Sequence, residues 1–114
     1  MPTTPESRSV AEAQAEFMRR GTSEAPELGI RGEVDVSTSA ALREELYGMI
    51  DAGATRVVID CSQMDFIDSS GLGVLVGALK RVREKDGELV LRGLNPSARK
   101  VFEITGLTKL FTIE

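Results

Sequence analysis

The chain has 114 residues, a formal net charge of −4 at pH 7, one cysteine and no histidine. This length suits a single domain and is too short for two. The missing histidine excludes the common zinc sites and the Ser-His-Asp and Cys-His nucleophilic sites, and a lone cysteine excludes an internal disulfide framework.

The distribution of charge and of apolar residues excludes two further classes. Basic residues occur singly or in pairs, so the chain lacks the basic stripe that binds a nucleic-acid backbone. No apolar run approaches the length of a membrane span, and the first eight residues contain no signal-peptide core. We therefore expect a cytoplasmic protein that binds neither nucleic acid nor membrane.

The N-terminal residues carry the weakest pattern. Residues 1–9 are rich in Pro, Thr and Ser and are predicted to be a disordered lead-in. Residues 10–18 favour a helix by composition, but an edge strand is also open. We accordingly expect a loosely ordered extension over residues 1–20 and one domain over residues 21–114.

From Leu28 onward, strand and helix patterns alternate along the chain. Strands are predicted at residues 28–34, 56–60, 88–92 and 110–113. Helices are predicted from Leu42 to a stop at Gly53, from about Ser69 to Glu84, and from the Asn95-Pro96 start to Gly106, where Ala98, Val101, Phe102 and Thr105 would face the core. Residues 61–68 are predicted to be a polar loop. Such alternation indicates an α/β sheet with crossover connections.

Residues 65–77 are the most informative stretch. Asp68, Ser69 and Ser70 stand where a helix begins, and such residues commonly do no more than cap the first turn. Gly73 and Gly77 fall on the helix side opposite its apolar residues, where each costs about 1 kcal/mol relative to alanine. A side-chain-free surface of this kind suits a closely approaching partner, unless another part of the chain covers it.

Several stretches together resemble the anti-sigma factor antagonist branch of the STAS family. The resemblance covers about Leu28 to Ile113 and is carried by Gly32-Glu33-Val34-Asp35, Val57-Val58-Ile59-Asp60, residues 64–75, residues 91–96 and residues 101–107. It implies a single STAS-type domain, in which a small mixed β-sheet has helices packed mainly on one side. The family's first strand is not evident before Leu28.

The resemblance also implies a function for this surface. Ser69 is expected to be phosphorylated by a GHKL-type anti-sigma factor kinase, and a PP2C-type phosphatase is expected to restore it. The expected kinase-binding residues are Glu33, Asp35, Asp68, Ser69, Ser70, Gly71, Gly73 and Gly77. Binding would release a sigma factor, and the chain itself would supply no catalytic group and hold no cofactor.

Two other functions remain open at this level. The chain could be a STAS subunit of a larger assembly without a phosphorylation switch. Alternatively, Gly71, Gly73 and Gly77 faintly resemble a nucleotide-binding fingerprint, although the predicted loop separates them from the preceding strand. Cys61 is expected to be a small buried side chain rather than a redox site.

Overall fold

The computed structural model describes residues 15–114, which form one mixed sheet and three α-helices. In chain order the elements are β1 (Ala15–Gly21), β2 (Pro26–Val34), α1 (Ser39–Asp51), β3 (Arg56–Ile67), α2 (Ser69–Arg83), β4 (Glu88–Arg92), α3 (Pro96–Ile104), a 3-10 turn (Leu107–Lys109) and β5 (Thr112–Ile113). The strands lie in the order β1-β2-β3-β4-β5. Among the four strand pairs of residues 15–114, only β1–β2 is antiparallel. The predicted fold class, a small mixed sheet with helices on one side, is confirmed.

The main core lies between the sheet and the three helices. The apolar positions that predicted α1 and α2 are all buried in this core: Leu42, Leu46, Met49, Ile50, Leu72, Leu75, Leu79 and Val82. Helix α3 contributes Ala98 and Phe102, and Phe102 packs edge-on against Phe111. Thr105 does not face the core as predicted, because it is the C-terminal cap of α3 and its hydroxyl donates to the Val101 carbonyl.

The opposite face of the sheet is covered by ion pairs. Val58 and Val90 are buried but lie outside the main core, as expected for strand residues that alternate between two faces. Ion pairs connect seven residues across this face, and acidic and basic side chains alternate along the series: Asp60, Arg20, Glu27, Arg92, Glu114, Arg56 and Glu88. These pairs link the edge strands to the centre of the sheet, and the aliphatic stems of such residues can shield apolar neighbours from water.

One prediction differs from the structure at the N-terminal side of the domain. Residues 15–21 form an edge strand, so the sheet already includes residues that we assigned to the extension, and residues 1–14 lie outside the described range. The chain reverses at Gly21, whose φ of +83° suits glycine. Pairing with β2 supplies the hydrogen bonds of this strand, and no local pattern in residues 10–18 could reveal a partner that follows a turn.

The predicted polar loop at residues 61–68 is also wrong. Strand β3 continues to Ile67, and its pairing with β2 is interrupted by two register shifts. Bulges of this kind break the two-residue alternation by which a strand is recognised in a sequence. The last strand is shorter than predicted, because the amides of Leu110 and Phe111 still donate to the Leu107 carbonyl in the turn that follows the 3-10 segment.

Candidate functional site

The ends of β2 and β3 bring two acidic residues to one edge of the sheet. Val34 and Ile67 are partners in the parallel ladder, so Asp35 and Asp68 follow at the same level. The Asp68 amide donates to the Val34 carbonyl at 3.1 Å. The negative charge of Asp35 acts to raise the pKa of Asp68, because it opposes ionisation of the Asp68 carboxyl. The structure therefore brings together two residues that the sequence separates by a helix and a strand.

Asp68 is the N-terminal cap of α2. Its carboxylate accepts hydrogen bonds from the Ser70 amide at 2.9 Å, the Ser70 hydroxyl at 2.5 Å and the Gly71 amide at 3.2 Å. The bond from the Ser70 hydroxyl is the main cause that holds the pKa of Asp68 below its ordinary value, against the opposing effects of burial and of Asp35. The amide and the hydroxyl of Ser70 are thus both hydrogen-bonded to the capping residue Asp68.

Ser69 differs from both of its neighbours. It is the first residue of α2, its side chain is exposed, and its hydroxyl makes no hydrogen bond to any residue in the range 15–114. The capping role that a Ser-Ser pair ordinarily has is therefore filled by Asp68 and Ser70. The Ser69 hydroxyl is left available to a reagent or a partner at the start of a helix.

Glu33 and Asp35 flank Val34 at the end of β2 and have different constraints. The Asp35 carboxylate accepts from the Ser37 hydroxyl at 2.7 Å and from the Ser37 amide at 2.9 Å, and the hydroxyl bond is the main cause that lowers the pKa of Asp35. These bonds shape the turn into α1. Glu33 is exposed on β2, opposite Phe66 of β3.

The three glycines of α2 have three different surroundings. A Cβ atom at Gly71 would lie 2.7 Å from both Val34 and Ile67, so this glycine lets the helix start pack on the strand ends. At Gly77 the added atom would meet the Tyr47 hydroxyl, so the alternative that this chain covers the glycine surface applies there. At Gly73 it would meet nothing within 4 Å. The open surface predicted from the sequence therefore runs from Ser69 to Gly73.

Two apolar side chains near the same edge were missed in the sequence. Val36 is 78% exposed and Phe66 is 49% exposed, and they follow Asp35 and Asp65 directly in the chain. Single exposed apolar residues are common on protein surfaces, so these two are candidates for an interface through their position near Asp35 and Asp68. The available signal was a single apolar residue inside each of two polar runs, which is a weak one.

The structure replaces one argument against nucleotide binding with another. The first argument, a loop between the strand and the glycines, is lost because β3 continues to Ile67. The second argument is that the glycines lie inside α2 and that Val34 and Ile67 fill the space at Gly71. A phosphate-binding fingerprint needs its glycines in the turn before the helix, where the backbone is free to approach a ligand.

Metal binding and membrane insertion would each need a structural feature of their own. Residues 15–114 contain no group of three or more His, Cys, Asp or Glu side chains that could hold a metal ion. No helix in this range is long and apolar enough to cross a membrane.

Comparison with known proteins identifies the family. The STAS domain model matches residues 17–114. The anti-sigma-B factor antagonist of Listeria monocytogenes is 39% identical over 87 residues, which cover 75% of this chain and 75% of that protein. Among solved structures, the anti-sigma factor antagonist SpoIIAA in its unphosphorylated form is 25% identical with a TM-score of 0.77, covering 87% of this chain and 88% of that one. The phosphorylated form of the Bacillus cell fate determinant SpoIIAA is 26% identical with a TM-score of 0.70, covering 87% and 91%.

Proposed function

Because this chain belongs to the STAS family and to its anti-sigma factor antagonists, we propose that it binds an anti-sigma factor through the surface around Ser69 and that phosphorylation of Ser69 ends this binding. We define the docking surface as Asp35, Val36, Phe66, Asp68, Ser69 and Gly73. The observation that carries the proposal is the Ser69 hydroxyl, which is exposed and without a hydrogen-bond partner in residues 15–114. The existence of SpoIIAA in phosphorylated and unphosphorylated forms supports it.

The docking surface has the composition that protein recognition requires. Phe66 and Val36 offer apolar area, and aromatic anchors commonly supply much of the binding energy at protein interfaces. Asp35 and Asp68 give this edge a negative charge, which favours a partner with basic residues at the matching positions. Glu33, two residues before Asp35 in the chain, adds to this charge from β2.

A phosphate on Ser69 would be tolerated by the fold and rejected by the partner. At a helix N-terminus the dipole favours an anion by about 0.3–1 kcal/mol, so α2 should keep its structure. The phosphate adds a charge of about −1.5 to −2 and three oxygens at the point where the partner would lie against the Ser69 hydroxyl. A partner fitted to a neutral hydroxyl has neither the space nor a cation for this dianion, and burial of an unpaired charge costs several kcal/mol. Because about 1.4 kcal/mol is tenfold in affinity, a part of this cost already weakens docking tenfold.

The implied cycle needs two enzymes that act on this chain. We propose that the anti-sigma factor is itself a GHKL-type kinase and transfers phosphate to Ser69. A PP2C-type phosphatase would restore the hydroxyl. In the dephosphorylated form this chain would occupy the anti-sigma factor and release a sigma factor, an exchange that we place in the cytoplasm.

Capture of the partner from native lysate tests the proposal. Wild type, Ser69→Ala, Ser69→Asp and Ser70→Ala are used as bait, and retained proteins are identified by mass spectrometry. We expect wild type, Ser69→Ala and Ser70→Ala to retain an ATP-binding anti-sigma factor and Ser69→Asp to lose it. Incubation of the captured protein with ATP should then phosphorylate wild type and Ser70→Ala, but not Ser69→Ala.

A different pattern would reject the switch. If all four baits retain the same proteins and none is a kinase, Ser69 is only the first residue of a helix. The chain would then be a STAS subunit of a larger assembly that is not controlled at this serine.

A further inference from the structure

Helices α1 and α2 lie side by side in a regular register. Tyr47 of α1 covers Gly77 of α2, and one turn further along the Asp51 carboxylate accepts two hydrogen bonds from Arg81, at 2.9 and 3.1 Å. Asp51 and Arg81 are 30 residues apart in the chain, and so are Tyr47 and Gly77. Since both contacts keep the same spacing over one turn, the two helices run parallel.

The same register places Arg43 beside Gly73. Arg43 is one turn before Tyr47 on α1, and Gly73 is one turn before Gly77 on α2, a step of about 6 Å along each helix. Gly73 has no side chain, and a Cβ atom there would have open space around it. Arg43 is therefore at the border of the docking surface, about one helical turn from the level of Ser69.

Arg43 also differs from its neighbour in charge balance. The Arg81 guanidinium lies 4.4 Å from the centre of the Tyr47 ring and is neutralised by Asp51. The Arg43 guanidinium lies 5.4 Å from the same ring, and within residues 15–114 no carboxylate pairs with it. Stacking on the Tyr47 ring, which Arg81 also contacts, limits the conformations of Arg43. A cation that is partly pre-oriented and lacks an anion is suited to a carboxylate from outside.

We infer that Arg43, stacked on Tyr47, is a second contact of the docking surface and binds an acidic residue of the anti-sigma factor. The docking surface then carries opposite charges at its two ends, with Asp35 and Asp68 at the strand ends and Arg43 beside Gly73. A partner with basic residues facing the first end and a carboxylate facing the second can dock in only one orientation. This polarity would select the partner and fix its position over Ser69.

The inference rests on the proposed function and is tested with the anti-sigma factor captured by Ser69→Ala, once identified and purified. Affinity for this protein is measured by calorimetry for wild type, Arg43→Ala, Arg43→Glu and Ser69→Asp. Lys100→Glu is the matched control, because it makes the same change of charge at an exposed position on α3. We expect a three- to tenfold loss for Arg43→Ala and more than tenfold for Arg43→Glu, with Lys100→Glu within twofold of wild type.

The salt dependence of the affinity distinguishes an electrostatic contact of Arg43 from a purely structural role, which salt would not change. The gap between wild type and Arg43→Glu should shrink at 0.5 M salt, where charges more than a few ångströms apart are screened. Thermal midpoints of both variants should stay within about 2 °C of wild type, because Arg43 is exposed.

The outcomes separate the two proposals. If Ser69→Asp binds like wild type, the proposed function fails and the inference fails with it. If Ser69→Asp weakens binding and Arg43→Glu does not, only the inference is overturned. That result would mean that Arg43 binds no carboxylate of the anti-sigma factor.

Discussion

Replacing Gly73 by alanine should stabilise the protein and weaken its binding at the same time. Gly73 lies inside α2, and a Cβ atom there meets nothing within 4 Å. The substitution therefore removes the cost of a helical glycine, about 1 kcal/mol, without a steric penalty. For a domain of this size the midpoint of thermal unfolding should rise by about 4–8 °C.

Gly71→Ala is the matched control, two residues earlier in the same helix. Its Cβ atom would lie 2.7 Å from Val34 and from Ile67, both buried and paired across the strand ends. Overpacking of this kind costs about 1–3 kcal/mol, which offsets or exceeds the gain in helix propensity. We expect Gly71→Ala to be less stable than Gly73→Ala by about 1–3 kcal/mol.

Urea unfolding and calorimetric titration with the purified anti-sigma factor measure the two effects separately. On the proposed docking surface, a methyl group at Gly73 holds the partner away, and we expect a loss of affinity of tenfold or more despite the gain in stability. If Gly73→Ala is less stable than wild type, the space around Gly73 is not open as described. If it is stabilised and binds unchanged, Gly73 is not part of the docking surface.

Three further predictions follow from single contacts. Asp68→Ala should lose the helix cap at a cost of about 0.5–2 kcal/mol at pH 7. Because folding lowers the pKa of Asp68, its contribution is present above the unfolded value near 3.9 and is lost as pH falls through the folded value, so urea unfolding at pH 3 should find wild type and Asp68→Ala closer in stability than at pH 7. Phe66→Ser should lower the unfolding free energy by about 1 kcal/mol, because half of the side chain is buried, but weaken anti-sigma factor binding by more than tenfold in the same titration, and equal affinity would remove Phe66 from the docking surface. The Cys61 thiol, with its pKa raised to about 12 by burial, should react with a thiol reagent at pH 8 only as fast as the protein unfolds, and rapid labelling would contradict its burial.

Much of the docking surface could be recognised before the fold was known. The capping residues at positions 68–70, the helix that starts at about Ser69 and the glycine at position 73 are local features, since each depends on residues within about one turn. The helix cap at Asn95 was likewise predicted and confirmed, with its side chain accepting from the Ala98 amide at 2.8 Å. Ser69 and Ser70, in contrast, could not be told apart from the sequence alone, because both are ordinary residues for a helix start.

The tertiary structure decided which of these residues are free. Ser70 is bound by Asp68, Gly71 is closed by Val34 and Ile67, and Gly77 is covered by Tyr47. Val34 and Tyr47 come from elements that are distant in the chain, and Ile67 ends the strand before the helix. Among these neighbours, Asp68 alone is local to the helix start. A helical wheel shows which side of a helix is apolar, but it cannot show what another element places on the polar side.

The strands show the same division. The short run Arg56–Asp60 was evident from its β-branched residues, whereas its continuation to Ile67 and the edge strand Ala15–Gly21 were not. What the sequence by itself determined is the local part of this protein: its helix starts and stops, the apolar faces, and the serine at the head of α2. Only the tertiary structure decided that Asp35 joins Asp68, that Arg43 is level with Gly73, and that one serine of two stays free. These relations depend on crossover connections and strand register, which join residues 30 or more positions apart and leave no periodic trace in the chain.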